Sequence, residues 1–177
     1  YDEMGMTELA LADINKAMEL TDQRNYAYYY GRRSAIYRYA GMYEDAIEDL
    51  DKYIERYPTD AYGYYARGWC QELSRDSKGA MEDYNEGIAV DENYPYIYLM
   101  RGTLYMENGD AEKATADFET VVTKDTTVMN GSCRHYALNF LGKAEEAEEW
   151  MNKIIEKDPD DPGEWYDKAC LYARMER

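Results

Sequence analysis

An alanine recurs along the chain at nearly constant intervals of about 34 residues. These residues are Ala10, Ala46, Ala80, Ala114 and Ala147, and they lie 36, 34, 34 and 33 residues apart. Four of them follow a glycine by five residues, and the glycines are Gly5, Gly41, Gly109 and Gly142. A period of this length is typical of stacked helix pairs, because one repeat cannot bury its own apolar face and its neighbours must complete the core. The sequence therefore predicts an all-α solenoid of antiparallel helix pairs.

Apolar residues within each repeat recur at spacings of three and four, as on one face of an α-helix. In the second helix of the first complete repeat, this stripe consists of Ala46, Ile47, Leu50, Tyr53 and Ile54. The prolines lie at junctions between repeats, where a missing amide donor does least harm. We predict about ten helices, at residues 7–20, 27–40, 43–56, 61–73, 77–90, 95–108, 111–124, 128–141, 144–157 and 162–175.

One stretch shows the repeat pattern most clearly. Its defining residues are Tyr30, Ser34, Tyr37, Ala46, Leu50, Tyr53 and Pro58. This order of aromatic, small and apolar residues over two helices resembles the tetratricopeptide repeat family, and the resemblance covers essentially the whole chain. It implies a right-handed superhelix whose first helices line a concave groove that binds a peptide or a protein.

The resemblance predicts one array over residues 1–177. Its parts are a half repeat at 1–24, repeats at about 27–60, 61–94, 95–127 and 128–161, and a final helix at 162–177. The fourth repeat departs most from the family pattern, because Gly131 replaces the early aromatic residue and His135 stands where a small residue is expected. Since the chain begins inside a repeat and ends inside a helix, we expect it to be a segment of a longer protein.

Charged residues form two further ladders with the same period. The basic ladder consists of Arg33, Arg67, Arg101, Arg134 and Lys168, and the acidic ladder of Asp13, Asp49, Asp83 and Asp117. The two ladders can pair within a repeat, or from each arginine back to the preceding repeat. We predict backward pairing, which gives every arginine an acid: Arg33 with Asp13, Arg67 with Asp49, Arg101 with Asp83 and Arg134 with Asp117. We interpret these pairs as structural braces; an arginine row that binds phosphate is the alternative.

A ladder of aromatic residues predicts a ligand surface. If Tyr30, Tyr64 and Tyr98 face the core, residues two positions earlier and others on the same helices face the concave side. This set consists of Tyr28, Arg32, Tyr62, Tyr65, Trp69, Tyr96, Leu99, Met100, Met129 and Tyr136. Core packing is the simpler explanation for any single tyrosine. The repetition favours a binding surface, since aromatic rings with a polar tip bury a large area at low entropic cost.

The spacing of this ladder also predicts how a ligand is read. First helices are expected about 10 Å apart, and an extended peptide advances about 3.3 Å per residue. Tyr28, Tyr62 and Tyr96 are therefore predicted to contact every third residue of one apolar or aromatic segment. Lysine or arginine flanks are expected on this ligand because the rim is acidic.

The family's clamp for a C-terminal carboxylate needs lysine and asparagine on the groove face of the first helices. Those places hold Gly31, Ala35, Tyr65 and Trp69. The resemblance therefore implies no carboxylate clamp and disfavours an adaptor for chaperone tails.

The composition excludes several classes of function. A net charge of −17 repels nucleic-acid backbones and anionic lipid headgroups. The longest apolar runs are only a few residues, so no membrane insertion is predicted. The cysteines, Cys70, Cys133 and Cys170, show no metal-ligand spacing. No metal and no cofactor are predicted.

Two patterns that resemble reactive sites have structural explanations. The segment 158–163 is acidic and resembles the start of a calcium-binding loop. However, Pro162 replaces a ligand, and Ala169 stands where the bidentate glutamate of such a loop belongs. We therefore interpret the segment as a turn that caps the next helix. Cys133 and His135 are two residues apart on a predicted helix, which points their side chains away from each other. No enzymatic activity is predicted.

These observations favour a non-enzymatic scaffold that binds an extended peptide or a partner helix in an aromatic groove. The alternative is a structural or regulatory arm of a larger enzyme or transport complex, which packs on its own neighbouring domain. The oligomeric state is left open. The compartment is also left open, with the cytoplasm slightly favoured.

Overall fold

Ten α-helices make up most of the described part of the chain, which covers residues 3–22, 25–126 and 132–175 of a computed structural model. They are α1 (Glu3–Glu19), α2 (Tyr26–Tyr39), α3 (Tyr43–Arg56), α4 (Ala61–Leu73), α5 (Ser77–Val90), α6 (Pro95–Glu107), α7 (Ala111–Lys124), α8 (Arg134–Phe140), α9 (Ala144–Lys157) and α10 (Pro162–Met175). Those ranges contain no β-strand, and the predicted all-α class is confirmed. The main differences from prediction are an earlier start of α1 and a later start of α8.

The helices form two compact units, residues 1–92 and 93–177. In the N-terminal unit, α1 packs on α2, α2 on α3, α3 on α4, and α4 on α5. In the C-terminal unit, α6 to α10 pack in the same sequential manner, and α10 also touches α8. This next-neighbour packing is the arrangement expected of helical repeats.

The recurring alanines lie in the core. Ala46, Ala80, Ala114 and Ala147 are buried, and so are the larger residues one helical turn later, which are Leu50, Tyr84, Phe118 and Met151. An alanine at this position lets the second helix of a repeat approach its neighbour closely, while the larger residue fills the remaining space. The period seen in the sequence is therefore the period of the core.

Tight turns between paired helices explain three of the offset glycines. Gly41, Gly109 and Gly142 have φ angles of +74°, +80° and +73°, in a backbone region that residues with a Cβ rarely adopt. Arg75 occupies the equivalent position between α4 and α5, with φ of +72°. Gly5, in contrast, lies inside α1.

Two glycines of the first helices allow aromatic residues to pack. A Cβ on Gly68 would lie 2.6 Å from the ring of Tyr84, and one on Gly102 would lie 2.7 Å from the ring of Phe118. The small residue of the repeat pattern is therefore required where the facing residue is aromatic. In the fourth repeat, where His135 takes the small position, the residue equivalent to Phe118 is Met151.

The arginine ladder pairs with aspartates of the same repeat. Arg33 donates through Nε and Nη2 to the two carboxylate oxygens of Asp49, both at 2.7 Å. The same bidentate arrangement joins Arg67 to Asp83 at 2.8 and 2.6 Å, and Arg101 to Asp117 at 2.9 and 2.8 Å. All three aspartates are buried. Their hydrogen bonds with arginine offset the cost of burying charge.

The predicted backward pairing is therefore wrong. Arg67 binds Asp83 instead of Asp49, and Asp49 binds Arg33. The remaining Nη1 group does contact the preceding repeat. Its partner is the residue that follows the ladder aspartate of that repeat by two positions. Arg33 Nη1 donates to Asn15 at 2.6 Å, and Arg67 Nη1 donates to Asp51 at 2.6 Å. Each of these two arginines thus connects two successive repeats.

The ends of the ladder agree with pairing inside repeats. Arg134 has Trp150 at the acidic position, and its guanidinium carbon lies 4.5 Å from the centroid of that ring. It also donates to the carbonyl oxygens of Val122 and Asp125. Arg134 is therefore not paired with Asp117. Its partner position inside the repeat holds Trp150, which stacks on the guanidinium group in place of an aspartate.

The first predicted pair is also absent. Asp13 is exposed and forms no ion pair with any other residue in the described ranges. Arg33, its predicted partner, forms its fork with Asp49 and its third contact with Asn15.

A buried carboxylate fixes the start of α8. Asp125 accepts hydrogen bonds from the Oγ of Ser132 at 2.9 Å, from the amide of Cys133 at 2.6 Å and from the amide of Arg134 at 2.9 Å. These bonds replace a first helical turn, so α8 begins at Arg134. The predicted start at residue 128 is wrong at least for residues 132 and 133, whereas Met129 lies outside the described residues.

Candidate ligand-binding surface

Helix α2 contributes one edge of the candidate surface. Tyr28 is 53% exposed, and Arg32, one turn later, is also exposed. Arg32 Nε donates to the hydroxyl of Tyr28 at 3.2 Å, and its guanidinium carbon lies 5.1 Å from the centroid of the Tyr28 ring. The i, i+4 spacing on one helix places the two side chains together. They form a polar and aromatic edge that is accessible to solvent.

A pocket of about 260 Å³ opens beside this edge. It is lined by Tyr28, Gly31, Arg32, Tyr53 and Tyr62, which come from α2, α3 and α4. Gly31 helps to create the space, because a Cβ there would lie 3.0 Å from the Tyr53 ring and 3.7 Å from the Tyr62 ring. The hydroxyl of Tyr53 donates to the carboxylate of Asp60, which holds that ring at the pocket wall.

Helix α4 continues the surface as a row of aromatic rings. The ring centroids of Tyr62 and Tyr65 are 6.4 Å apart, and those of Tyr65 and Trp69 are 5.8 Å apart. All three side chains are partly buried. The guanidinium carbon of Arg38 lies 3.7 Å from the Trp69 centroid, so this arginine stacks on the ring. We call Tyr28, Arg32, Tyr62, Tyr65 and Trp69 the aromatic surface.

Burial and nearby positive charges have opposite effects on Tyr62 in the aromatic surface. Burial raises the pKa of Tyr62, while the positive charges of Arg38 and Arg32 act in the opposite direction. Tyr62 therefore remains a neutral hydrogen-bond donor at physiological pH, with two cations near it. The arrangement can accept an apolar group in the pocket and a polar or negative group beside it.

The other predicted site residues belong to the C-terminal unit. Tyr96, Met100 and Tyr136 are partly buried, and the Tyr136 hydroxyl donates to Asp167 at 3.0 Å. Leu99 is only 8% exposed, so it belongs to the core, and its predicted place on a ligand surface is wrong. Neither Tyr28, Tyr62 nor Tyr96 is fully buried. A common ladder of these three tyrosines stays a prediction.

The sequence reasoning missed the roles of Gly31, Tyr53 and Arg38. Arg38 follows Gly31 by seven residues, or about two helical turns, so the same helix face carries both. That spacing was a usable signal for Arg38. Tyr53 gave no such signal, because it belongs to the core stripe of α3 by spacing and reaches the pocket only through the missing side chain of Gly31.

The Cys133 thiol has the environment of a structural cysteine. Cys133 is buried, and this burial, together with the nearby Asp125 carboxylate, raises the pKa of its thiol. A buried thiol of this kind is a poor nucleophile. The acidic turn before α10 does cap that helix as predicted, since the Gly163 amide donates to Asp161 at 2.7 Å.

Neither a metal cluster nor a membrane-spanning helix is found among the described residues. Within the described ranges, no group of three or more histidine, cysteine, aspartate or glutamate side chains could hold a metal ion. None of the described helices combines the length and apolar character needed to cross a membrane.

An all-α array of paired helices with this repeat defines the class of helical repeat proteins. Two tetratricopeptide repeat models match the sequence, at residues 35–96 and 95–123, and together they cover half of the 177-residue chain. The chain belongs to the tetratricopeptide repeat family. The predicted family is thereby confirmed.

Similar proteins align with nearly the whole chain. The TPR repeat-containing protein MJ1428 of Methanocaldococcus jannaschii is 26% identical over 94% of this chain and 30% of its own length. An Hsp70-Hsp90 organizing protein of Triticum aestivum is 34% identical over 95% of this chain and 29% of its own length. The chain thus spans about 30% of the length of these relatives.

A solved structure gives the same fold. The thermophilic TPR protein TTC0263 of Thermus thermophilus aligns with a TM-score of 0.69 and 19% identity, over 96% of this chain and 92% of that protein. Together with the ten helices, this likeness confirms an all-α helical repeat solenoid.

Proposed function

We propose that the chain is a non-enzymatic scaffold that binds an extended peptide of a partner protein on its aromatic surface. The broader role, a protein-interaction scaffold, is supported by its membership of the tetratricopeptide repeat family, which is generally non-enzymatic. The wheat relative is named for organising two other proteins, Hsp70 and Hsp90. The observation that carries the finer proposal is the pocket between Tyr28, Gly31 and Tyr62.

The size of this pocket suits one side chain of a ligand. Pockets that enclose drug-sized molecules and cofactors have volumes of about 300–1,000 Å³, and this pocket has about 260 Å³. A single aromatic or branched aliphatic residue matches the smaller space. We therefore assign the pocket to one apolar residue of a longer peptide.

The tyrosines beside the pocket suit a peptide backbone. Each presents a large apolar ring for contact and a hydroxyl that can bond to peptide amides or carbonyls. The ring spacings along α4, 6.4 and 5.8 Å, are close to the ~6.6 Å between alternate side chains of an extended peptide. A peptide that lies along α4 would thus place alternate side chains against Tyr62, Tyr65 and Trp69.

The ligand differs in chemistry from one held by a carboxylate clamp. Gly31, Ala35, Tyr65 and Trp69 occupy the places where such a clamp needs lysine and asparagine. The net charge of −17 favours basic residues in the flanks of the peptide. The proposed partner is a protein with an exposed, extended segment that is apolar at its centre and basic at its ends.

Selection from a random library of 12-residue peptides displayed on phage tests this function. We expect enriched peptides with regularly spaced apolar residues, because the surface is a row of rings. Apolar residues at every second position would indicate a peptide along α4, and at every third position a peptide that crosses from repeat to repeat.

Substitution of the rings then tests the site. Tyr62→Ala and Trp69→Ala are each expected to weaken binding of an enriched peptide by about 1–2 kcal/mol in fluorescence anisotropy. Tyr166→Ala serves as the matched control, since Tyr166 is 69% exposed on α10. Equal binding by all three variants, with unchanged circular dichroism, would contradict the proposed site.

A second function is favoured by one observation. The chain spans only about 30% of the length of its archaeal and wheat relatives. An array of this kind can serve as an arm that packs on another domain of the same protein. Selection of no peptide by the segment, together with protection of Tyr28 and Trp69 from modification in a longer protein that contains it, would favour this arm.

A further inference from the structure

Two arginines of α2 differ from the three ladder arginines that bind aspartates. Arg33, Arg67 and Arg101 each bind a buried aspartate. Arg32 and Arg38 form no ion pair with any carboxylate in the described ranges; the contacts of both are with aromatic side chains. The chain has 37 acidic and 20 basic residues, so these two cations are available to a ligand in a surface that is acidic overall.

Aromatic rings hold these arginines in place. Arg38 lies 3.7 Å from the Trp69 centroid and 4.6 Å from the Tyr39 centroid. Stacking uses the flat face of a guanidinium and leaves the N–H donors at its edge directed outward. Arg32 has a comparable position over Tyr28, and among the residues that the structure describes only its Nε forms a side-chain hydrogen bond. Both guanidinium groups therefore retain donors for a further acceptor.

Both positive charges act near the pocket. Arg32 is one of the lining residues, and Arg38 stacks on Trp69, in the row of rings along α4 that begins at Tyr62. The positive charges of both arginines act on Tyr62 and oppose the rise of its pKa. Tyr62 itself lines the pocket. A negative group that lies beside a side chain in the pocket would meet an aromatic hydroxyl and two guanidinium groups.

We infer that Arg32 and Arg38 bind the side-chain carboxylate of an aspartate or glutamate within the peptide, next to the residue that enters the pocket. The inference rests on the proposed function and makes it more specific. Guanidinium groups match a carboxylate in geometry and charge. A surface with net charge −17 repels acidic ligand residues over most of its area. The two arginines therefore determine where an acidic residue of the peptide can bind, and this fixes the register of the peptide. Basic flanks on either side are compatible with it.

The test begins with the phage library, in which the C-terminus of every peptide is joined to the coat protein. A negative charge in an enriched peptide then comes from a side chain. We expect one aspartate or glutamate within three residues of an aromatic or aliphatic residue. Enrichment of acidic peptides only from a second library with free C-termini would overturn the inference, because the carboxylate would be terminal.

The charge pairing is tested with amidated synthetic peptides. Replacement of the selected acid by its amide, Glu→Gln or Asp→Asn, should weaken binding to the unmodified chain about tenfold. Arg38→Gln should weaken binding of the acidic peptide by a similar factor and reduce the difference in affinity between the acidic and amide peptides. Arg32→Gln should reduce this difference as well. Arg56→Gln, which removes an exposed arginine of α3, is the control and should preserve the difference between the two peptides.

The outcomes separate the two proposals. Equal affinity for the acidic and amide peptides, with binding still lost in Tyr62→Ala, would overturn the acidic subsite and leave the peptide-binding function standing. A difference between the peptides that persists in both arginine variants would also overturn it. Tighter binding when phosphoserine replaces the acid would overturn the choice of a carboxylate. Enrichment of no peptide would reject both proposals. Circular dichroism of each variant verifies that the helices remain folded.

Discussion

At the scale of single residues, backbone conformation explains a regularity of the sequence. Gly41, Gly109 and Gly142 share a left-handed conformation in the turn between paired helices. The fourth such position holds Arg75, which adopts the same conformation with φ of +72°. In this conformation, steric repulsion of the Cβ costs a residue other than glycine about 1–2 kcal/mol. Alignment of the repeats by their alanines already predicts this strain, because Arg75 precedes Ala80 by five residues.

Arg75→Gly is therefore expected to stabilise the chain. The gain should be about 0.5–1 kcal/mol, since the relief of strain exceeds the larger backbone entropy of glycine in the unfolded chain. Urea unfolding followed by circular dichroism measures it. Gly109→Ala is the converse change and should lower the midpoint. A lower midpoint for Arg75→Gly would mean that Arg75 makes contacts worth more than the strain.

Burial also sets the reactivity of the cysteines. Burial raises the pKa of the Cys70 thiol to about 11, and that of the Cys133 thiol is raised as well. Since the thiolate is the reactive form, we expect Cys170, which is partly exposed, to react first with Ellman's reagent at pH 8. Addition of denaturant should release three thiols. Labelling of Cys70 should accelerate as the pH approaches 11, and rapid labelling of all three in the folded chain at pH 8 would contradict this assignment.

At the scale of helices, the sequence predicted where the charged ladders lie but not which residues pair. Two partners are available to each arginine, one in its own repeat and one in the preceding repeat, and counting acids could not rank them. The structure contains both contacts: the fork of Arg67 binds Asp83, and its third nitrogen binds Asp51. The geometry that decides this is the direction in which α4 presents Arg67 toward α5, which spacing along the chain does not encode.

The two partners of Arg67 should differ in energetic weight. Asp83→Ala is expected to cost about 1–3 kcal/mol of unfolding free energy, because it leaves a partly buried arginine without its fork. Asp51→Ala should cost less than about 0.5 kcal/mol, since its side chain is 56% exposed. Denaturant unfolding of the two variants provides the comparison. Equal losses would show that the contact between repeats matters as much as the contact within one.

The candidate site was only partly predictable from the sequence. The aromatic ladder indicated Tyr28, Tyr62 and Trp69, because repeat positions translate directly into helix faces. Leu99 was placed wrongly because α6 buries three successive residues, from Ile97 to Leu99, and such a run carries no information about which side faces a ligand. The pocket itself depends on Gly31, whose effect is visible only when α2, α3 and α4 are packed together.

At the scale of the whole molecule, sequential packing predicts that damage stays local. Ala114 is buried in α7, and Ala114→Asp places a charge in the core of the C-terminal unit. Each repeat depends on its neighbours for its core. We therefore expect amide exchange to accelerate in α6, α7 and α8 more than in α1, α2 and α3. Mass spectrometry of exchanged peptides resolves these segments, and a uniform loss of protection would instead indicate one cooperative structure.

The contact of one arginine with two repeats has a consequence for how such a chain can change in length. Removal of residues 61–94 would delete one whole period and place Arg101 at the sequence position of Arg67. The fork with Asp117 travels with Arg101, and Asp51 becomes available to its third nitrogen. Arg33 keeps its fork with Asp49 as well. Duplication or loss of a complete period thus preserves the arginine–aspartate pairs of the remaining repeats, and a lineage can lengthen or shorten the array without new substitutions at the junction.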